Sequence, residues 1–542
     1  MKKFICQLLA IPLLLSLTAW SGFAAEEYAP QLFTEAAATH QAENAQFKAG
    51  VEKRMRYTGI DFSRLLTPGQ LKKGQAIDFT LAPKEGQPQQ ITKFELKLFD
   101  DVKYILVLER AANESPDGTT ITWYGSLEGE IDSKVILVSS DGVLSGNITL
   151  ADGQSFQIRY RGNGIHVIRE IDQSKYGTEL EPVEQRLPDD FDPNEAIDQQ
   201  DTSTPYDTDD EDPATDPSQY DETGATIDVM VVYTPASRIA NGGTAGMNTL
   251  IDLAMAETNT GYGNSNVVQR VNVVHRQEVT YTESTAPNSE STIVFDDALD
   301  ALEGTSDGEI DNVHTLRNDY AADIVSLFVH DPVTGWCGKS NIMGTESHTF
   351  ENQAFNVVDW DCATGYYSFA HEMGHNMGSR HDRAHDSSDG VFSYSHGYQD
   401  PEGDFRTIMA YDCPGGCDRV NHWSNVNIDY VVGATNYGPT GVIYTATNSA
   451  ANWRSLNNVR DTVANWRPRW IYVNGSYIGT EWGLSATPYN TISEGVNHIG
   501  QFAEDPRLYI APGTYTGAGN EPITILKAMT IAPWGTGSIT IE

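Results

Sequence analysis

A chain of 542 residues that is 39% hydrophobic and 20% charged can bury sizeable cores, and its length corresponds to roughly three or four domains. Lys and Arg total 35 against 75 Asp and Glu, a formal net charge of −40, which argues against any partner held by phosphate neutralisation, so no nucleic acid is expected. Five cysteines are too few for a disulfide scaffold, and beyond the first 25 residues no apolar run approaches the roughly 20 residues of a membrane span.

Residues 1–25 read as a signal peptide. Lys2 and Lys3 precede an apolar run from Leu8 to Ala19, and Gly22, Ala24 and Ala25 supply a small-residue exit. The expectation is a secreted protein cut near Ala24 or Ala25, with no membrane span in its mature form. Cys6 lies early in the run, away from the cut, so no lipid anchor is expected. Cys337, Cys362, Cys413 and Cys417 then remain, an even set in an oxidising compartment, and two disulfides are expected.

From 26 to 186 the chain alternates short apolar runs with turn signals. Phe94–Phe99, Tyr104–Leu108, Val135–Val138 and Phe156–Tyr160 read as strands, and Asp141-Gly142 and Asp152-Gly153 as hairpin turns. Residues 187–222 are rich in Asp, Glu and Pro with no Lys or Arg, a composition that self-repels and builds no core, and they read as an exposed linker.

Beyond the linker, Ile227–Tyr233 reads as a buried strand, Thr249–Thr258 as a helix, Val271–Val274 as a strand, Asn312–Tyr320 as a helix and Ile324–Val329 as a strand. Such alternation predicts an α/β layer. A last helix over Ser449–Trp466 carries Leu456, Val459, Val463 and Trp466 on one face, and Pro468 marks a boundary. From 469 to 542 the chain is β-rich and glycine-rich, with expected strands at Ile471–Val473, Leu508–Ile510, Ile523–Ile525, Thr530–Ile531 and Ile539–Ile541. This stretch resembles the opening coil of right-handed parallel β-helix proteins, with segments such as PYNTISEGV and LYIAPGTYTG. It holds at most two or three repeats, so it leans on the preceding domain or is a truncated version.

The informative stretch is His371-Glu372-Met373-Gly374-His375-Asn376-Met377-Gly378-Ser379-Arg380-His381-Asp382. On a helix over Tyr366–Met377, His371 and His375 are four apart and project together, so two imidazoles can share one metal. Gly378 can adopt the positive φ that ends a helix, and the reversal brings His381 back as a third nitrogen ligand. Three nitrogens with a fourth position open to water is how catalytic zinc is held. Glu372, between the histidines, can reach that water.

HExxHxxGxxH is the metzincin signature, and Thr407-Ile408-Met409-Ala410-Tyr411 resembles the downstream methionine turn, with Met409 as its methionine. Asp382 directly after the third histidine, with DCATGYYSFAHEMGHNMGSRHD and TIMAYDC, is similar to reprolysin (adamalysin)-like bacterial proteases and peptidyl-Asp metalloendopeptidases. The resemblance covers about residues 223–468. It implies a zinc endopeptidase in which Glu372 takes a proton from water and returns it to the leaving amine. Asp382 is expected to anchor the active-site loop. Tyr two residues after the methionine is more an astacin and serralysin trait, which leaves Tyr411 open as a fifth zinc contact, an oxyanion donor or a packing residue. A Cys337–Cys362 bridge would fix the active-site helix, and Cys413–Cys417 would close a small loop; a second zinc site of four thiolates is the alternative. His385 and His422 are left at the surface. The acidic balance allows calcium sites, as in related secreted proteases, but no EF-hand or RTX repeat locates one.

The fold class read from this is multidomain: a β-rich propeptide, an α/β metzincin catalytic domain with a mixed twisted sheet and helices, and a C-terminal β-helix-like segment. The expected protein is a secreted zymogen acting on polypeptide substrates and holding its own propeptide. That propeptide has no cysteine to block a zinc ion, so latency falls to an acidic side chain or to steric plugging. Two rival functions are a surface-binding or adhesion protein with a degenerate site, and a zinc hydrolase of cell-wall amides.

Overall fold

Strands whose apolar residues recur with period two bury one face and turn the other outward. The computed structural model describes residues 29–35, 47–48, 50–81, 91–187 and 226–542. The expected signal peptide at 1–25 and nearly all of the expected linker at 187–222 lie outside these. The alternating runs before residue 186 form β1 (Phe33–Glu35), β2 (Glu52–Ile60), β3 (Ala76–Asp78), β4 (Lys93–Phe99), β5 (Val102–Ala112), β6 (Ile121–Leu127), β7 (Lys134–Ser140), β8 (Val143–Thr149), β9 (Ser155–Tyr160) and β10 (His166–Ile171). They build one sheet in the order β1-β2-β10-β9-β8-β7-β6-β5-β3, with β4 also paired to β5. Asp141-Gly142 and Asp152-Gly153 turn the chain on either side of β8, with Gly142 at φ 73° and Gly153 at φ 85°.

One face of this sheet carries Leu96, Leu106, Trp123, Leu137, Phe156 and Ile158 into its own core. The alternate positions are also buried, yet many are polar: Ser145, Asn147, Gln157, Arg159 and Arg169. His166 opens β10, where its Nε2 accepts the Leu144 N–H at 3.0 Å, and burial lowers its pKa to about 4. The folded chain keeps this ring neutral down to that pH, whereas an unfolded histidine protonates near pH 6.5. The stability this difference contributes is therefore present above about pH 6.5 and is lost as pH falls towards 4, by up to about 3 kcal/mol. We expect the urea midpoint of the full chain to fall more steeply over that window than that of His166→Gln; parallel slopes would remove His166 from the acid response.

The second sheet comprises β11 (Val183–Glu184), β12 (Thr226–Tyr233), β13 (Arg270–Glu278), β14 (Ile324–Val329), β15 (Gly338–Ile342) and β16 (Phe355–Asp359), in the order β11-β15-β16-β14-β12-β13. β15 runs antiparallel to β16, and the other pairs are parallel. Helices α1 (Pro235–Ala240), α2 (Thr244–Asn264), α3 (Ile293–Glu303), α4 (Asn312–Tyr320), α5 (Ser368–Asn376) and α6 (Asn452–Ala464) belong to the same region. Val229 and Val231 face the core shared with α2, α5 and α6, while Met230 and Val232 face α3 and α4. A parallel sheet covered on both faces explains the unbroken apolar run of β12. α2 extends well beyond the expected Thr249–Thr258 because it is buried between the two sheets: Leu253 and Ala256 pack on Ile136 and Val138 of β7.

The polar face of the first sheet closes on this second region through paired groups. Arg169 meets Asp361 at 2.5 and 3.1 Å, Arg159 donates to Thr364 Oγ1 at 2.6 Å, and Asn147 donates to Glu257 at 2.6 Å.

After residue 469, Trp470–Val473, Arg507–Ile510 and Thr530–Pro533 form a three-stranded parallel sheet with Ile471, Leu508 and Ile531 in register, and Gly513–Tyr515 pairs in parallel with Ile539–Ile541. Ile523–Ile525, expected as a strand, is not one, for no strand pairs with it. This segment leans on the α/β region: Trp482 stacks on His348, Phe502 packs on Tyr320, and the Phe502 N–H donates to the Asp319 carbonyl at 2.7 Å. Among the described residues no helix is long and apolar enough to cross a membrane.

Candidate active site

α5 is shorter than its apolar pattern predicts, because Tyr367 takes a left-handed conformation at φ 65° and starts the helix at Ser368. His371 and His375 leave α5 on one side. Gly378 has φ 83°, and a Cβ there would come within 2.6 Å of Val391 and 2.9 Å of the Met343 carbonyl. Only glycine makes this turn, which returns His381 to the other two rings. Their Nε2 atoms lie 3.1, 3.1 and 3.2 Å from one another.

His371 Nδ1 sits 2.9 Å from the Ile408 carbonyl, and His375 Nδ1 sits 2.7 Å from the Ser379 carbonyl. A carbonyl only accepts, so both Nδ1 atoms carry the proton and both Nε2 atoms present lone pairs. Lone pairs converging at this distance repel unless a cation lies between them. Three nitrogens each about 2.0–2.1 Å from one tetrahedral zinc ion would stand roughly 3.3 Å apart, so the donor set fits zinc. Burial lowers the pKa of His371 to about 3 and that of His375 well below the ordinary histidine range, which keeps both rings neutral. The carbonyl of His381 accepts from His396 Nδ1 at 2.8 Å, a support no motif signalled.

Glu372 is fully buried, and neither of its oxygens has a hydrogen-bond partner among the described residues. Burial, with the Glu179 carboxylate nearby, pushes its pKa well above the usual carboxylate range. Glycine at 338 on β15 leaves the space, since a Cβ there would lie 2.3 Å from Glu372 Oε1. Under α5, Met409 and Trp423 fill the core; a Cβ on Gly374 would come within 2.6 Å of Met409 Sδ and 2.9 Å of Trp423.

Asp382 is buried; Oδ2 accepts the Tyr411 N–H at 3.0 Å, Oδ1 accepts the Ala384 N–H at 3.1 Å, and both oxygens face His385 Nδ1. The Tyr411 ring packs on His381 with centroids 4.0 Å apart. Its hydroxyl donates to the Glu179 carbonyl at 2.9 Å and to Glu181 Oε1 at 3.2 Å. His385 is exposed, whereas His422 is half-buried against Tyr430 instead of at the surface. Cys337–Cys362 and Cys413–Cys417 are both bridged, which removes the four-thiolate zinc alternative. The first bridge ties the approach to β15 to the approach to α5. Among the described residues the three histidines are the one group of three or more His, Cys, Asp and Glu ligand atoms close enough together to hold an ion.

Sequence reasoning missed the segment 177–184. It runs beside β15: the Leu180 N–H donates to the Gly338 carbonyl at 2.8 Å, the Cys337 N–H to the Thr178 carbonyl at 3.0 Å, and β11 pairs with β15. Glu181 Oε2 lies 3.5 Å from His381 Nδ1. Glu179 is fully buried against Arg419, 240 residues away, so no linear pattern could have joined them.

Residues 223–424 match the metallo-peptidase family M12 (Reprolysin_5). The chain is 38% identical over 369 residues to a peptidyl-Asp metalloendopeptidase of Stenotrophomonas maltophilia (strain R551-3), covering 65% of this chain and 78% of that one. It is 34% identical over 371 residues to a peptidyl-Asp metalloendopeptidase of Xanthomonas campestris pv. campestris, covering 66% and 78%. A third, from Pseudomonas fragi, is 38% identical over 181 residues, covering 33% of this chain and 90% of the relative. Two histidines on α5 and a third returned by the turn after it make a zinc-competent triad; with these relatives the protein is a metalloendopeptidase, and the chain belongs to the peptidyl-Asp metalloendopeptidase family of M12 peptidases.

Proposed function

We propose that the chain is a secreted, zinc-dependent endopeptidase made as a zymogen, with residues 1–25 as signal peptide, 26–186 as propeptide, 187–222 as linker, 223–468 as catalytic domain and 469–542 as a C-terminal segment of β-helix type. The observation that carries this is the triangle of His371, His375 and His381 with the unpartnered Glu372 carboxylate beside it. The three histidines would hold zinc, which supplies Lewis acidity towards the scissile carbonyl and towards water. Glu372 accepts the proton of the attacking water on a carboxylate oxygen and returns it to the leaving amine nitrogen. Asp382 holds the Tyr411 backbone, and Met409 packs beneath α5. Tyr411 packs its ring on His381, and its hydroxyl, once released from Glu179 and Glu181, would be free to donate to a developing oxyanion.

Two features support a propeptide. Much of the face of the first sheet against the catalytic region is polar, around the apolar contact of Ile136 and Val138 with α2, which suits an interface whose two halves later meet water. The segment 177–184 covers β15 next to the histidines. The relatives are named for aspartyl peptides, and we extend that preference to this chain. The Asp-rich linker is then a substrate, and maturation is autocatalytic. N-terminal sequencing of the purified wild type should find a new terminus within 187–222 that is missing from Glu372→Ala; identical processing of both without added protease rules out self-cleavage.

A further inference from the structure

The buried pair between Glu179 and Arg419 joins a residue of the propeptide to one of the catalytic domain. Arg419 Nη1 and Nη2 donate to Glu179 Oε1 and Oε2 at 2.6 and 2.7 Å, and Ser368 Oγ donates to Oε1 at 2.8 Å. Both charged side chains are wholly buried. Glu179 Oε2 lies 4.0 Å from His371 Nδ1, the ring nitrogen that does not face the triad, so the pocket adjoins the metal centre. The other contacts of the guanidinium are with neutral groups: the Tyr366 and Ala410 carbonyls at 3.1 and 3.4 Å, and the face of the Tyr366 ring, 4.3 Å away. When the propeptide leaves, Glu179 leaves with it, and the guanidinium keeps the two carbonyls and the Tyr366 ring but loses the carboxylate that both of its Nη atoms bind. A planar fork of donors left without its anion selects a carboxylate strongly.

Resting on the proposed function, we infer that Arg419, with Ser368, forms the subsite that recognises the acidic side chain of the substrate, and that Glu179 occupies it in the precursor as a substrate-like plug. The backbone fits this role. Hydrogen bonds of Thr178 and Leu180 to Cys337 and Gly338 hold the segment extended along β15, as a bound peptide adding to a sheet edge would be held. Tyr411 binds the same segment at the Glu179 carbonyl. The more exposed pair of Arg380 with Glu184, at 2.6 and 2.8 Å, clamps its far end.

The test uses the processed enzyme and matched fluorogenic peptides carrying Asp or Asn at the selected position. The ratio of their kcat/KM values does not depend on how much protein is active. Wild type should prefer Asp, and Arg419→Met should lower that preference by about 10- to 100-fold. A variant that cleaves with the wild-type ratio overturns the assignment. A wild type cleaving both peptides equally refutes the aspartyl preference and the subsite with it, whereas one cleaving neither refutes the peptidase reading on which both rest. Because Arg419→Met can fail to fold, a second measurement uses the wild-type enzyme and a synthetic peptide of residues 176–184. That peptide should inhibit competitively, and its Glu179→Gln form should be at least about 10-fold weaker; equal inhibition by the two overturns the plug.

Discussion

Replacing Glu372 by Gln should lower kcat on a fluorogenic peptide by about 100- to 10,000-fold, with zinc content unchanged. The substitution keeps the side-chain volume in a fully buried position, and the helix that carries it is held by Met409 and Trp423. The three rings remain oriented, because the Ile408 and Ser379 carbonyls fix two of them and the Gly378 turn fixes the third. An amide cannot take the proton of the attacking water, so the loss falls on the chemical step. Elemental analysis and kcat measured on one preparation separate this from metal loss. A variant that turns over at the wild-type rate would remove Glu372 from the mechanism.

The second large effect concerns the joint between the first sheet and the α/β region. Asp361→Ala should destabilise the full chain by about 3 kcal/mol, read as a lower urea midpoint, and should make the first sheet the earliest region cut by an added protease. Asp361 accepts from Arg169 at 2.5 and 3.1 Å and from the Lys48 N–H at 3.0 Å, all in a buried setting. Truncation leaves the guanidinium with Glu52, at 3.0 Å on the rim, as its one remaining carboxylate among the described residues, beside the neutral Gln157 Oε1 at 3.1 Å. Removing both charges, as in Arg169→Met with Asp361→Leu, should cost less than Asp361→Ala, since the penalty comes from the unpaired buried ion and not from the loss of the bridge. A double variant as unstable as the single one would mean that packing, and not charge, sets the joint.

The metal centre was legible because its chemistry is local. His371, Glu372, His375, Gly378 and His381 lie within eleven residues, and helix spacing with one glycine turn brings the rings together with little help from the rest of the chain. The cores of β12 and β14 were legible for a similar reason, since an unbroken apolar run has few places to go but a sheet covered on both faces. α3 was passed over although Val294, Phe295, Ala298, Leu299 and Leu302 have helical spacing, and α2 was read too short because burial on all sides blurs the periodic stripe that marks a helix.

Sequence alone thus determined the metal-competent histidine triad, the metallopeptidase family and the β-rich character of the N-terminal region, for these follow from neighbours along the chain. Only the tertiary structure decided that Glu179 meets Arg419, that Arg169 meets Asp361 and that residues 177–184 lie beside β15. These contacts join positions roughly 155 to 240 residues apart. A charged side chain carries no mark of its partner until folding strips it of water, and the cost of that desolvation then makes the pairing specific.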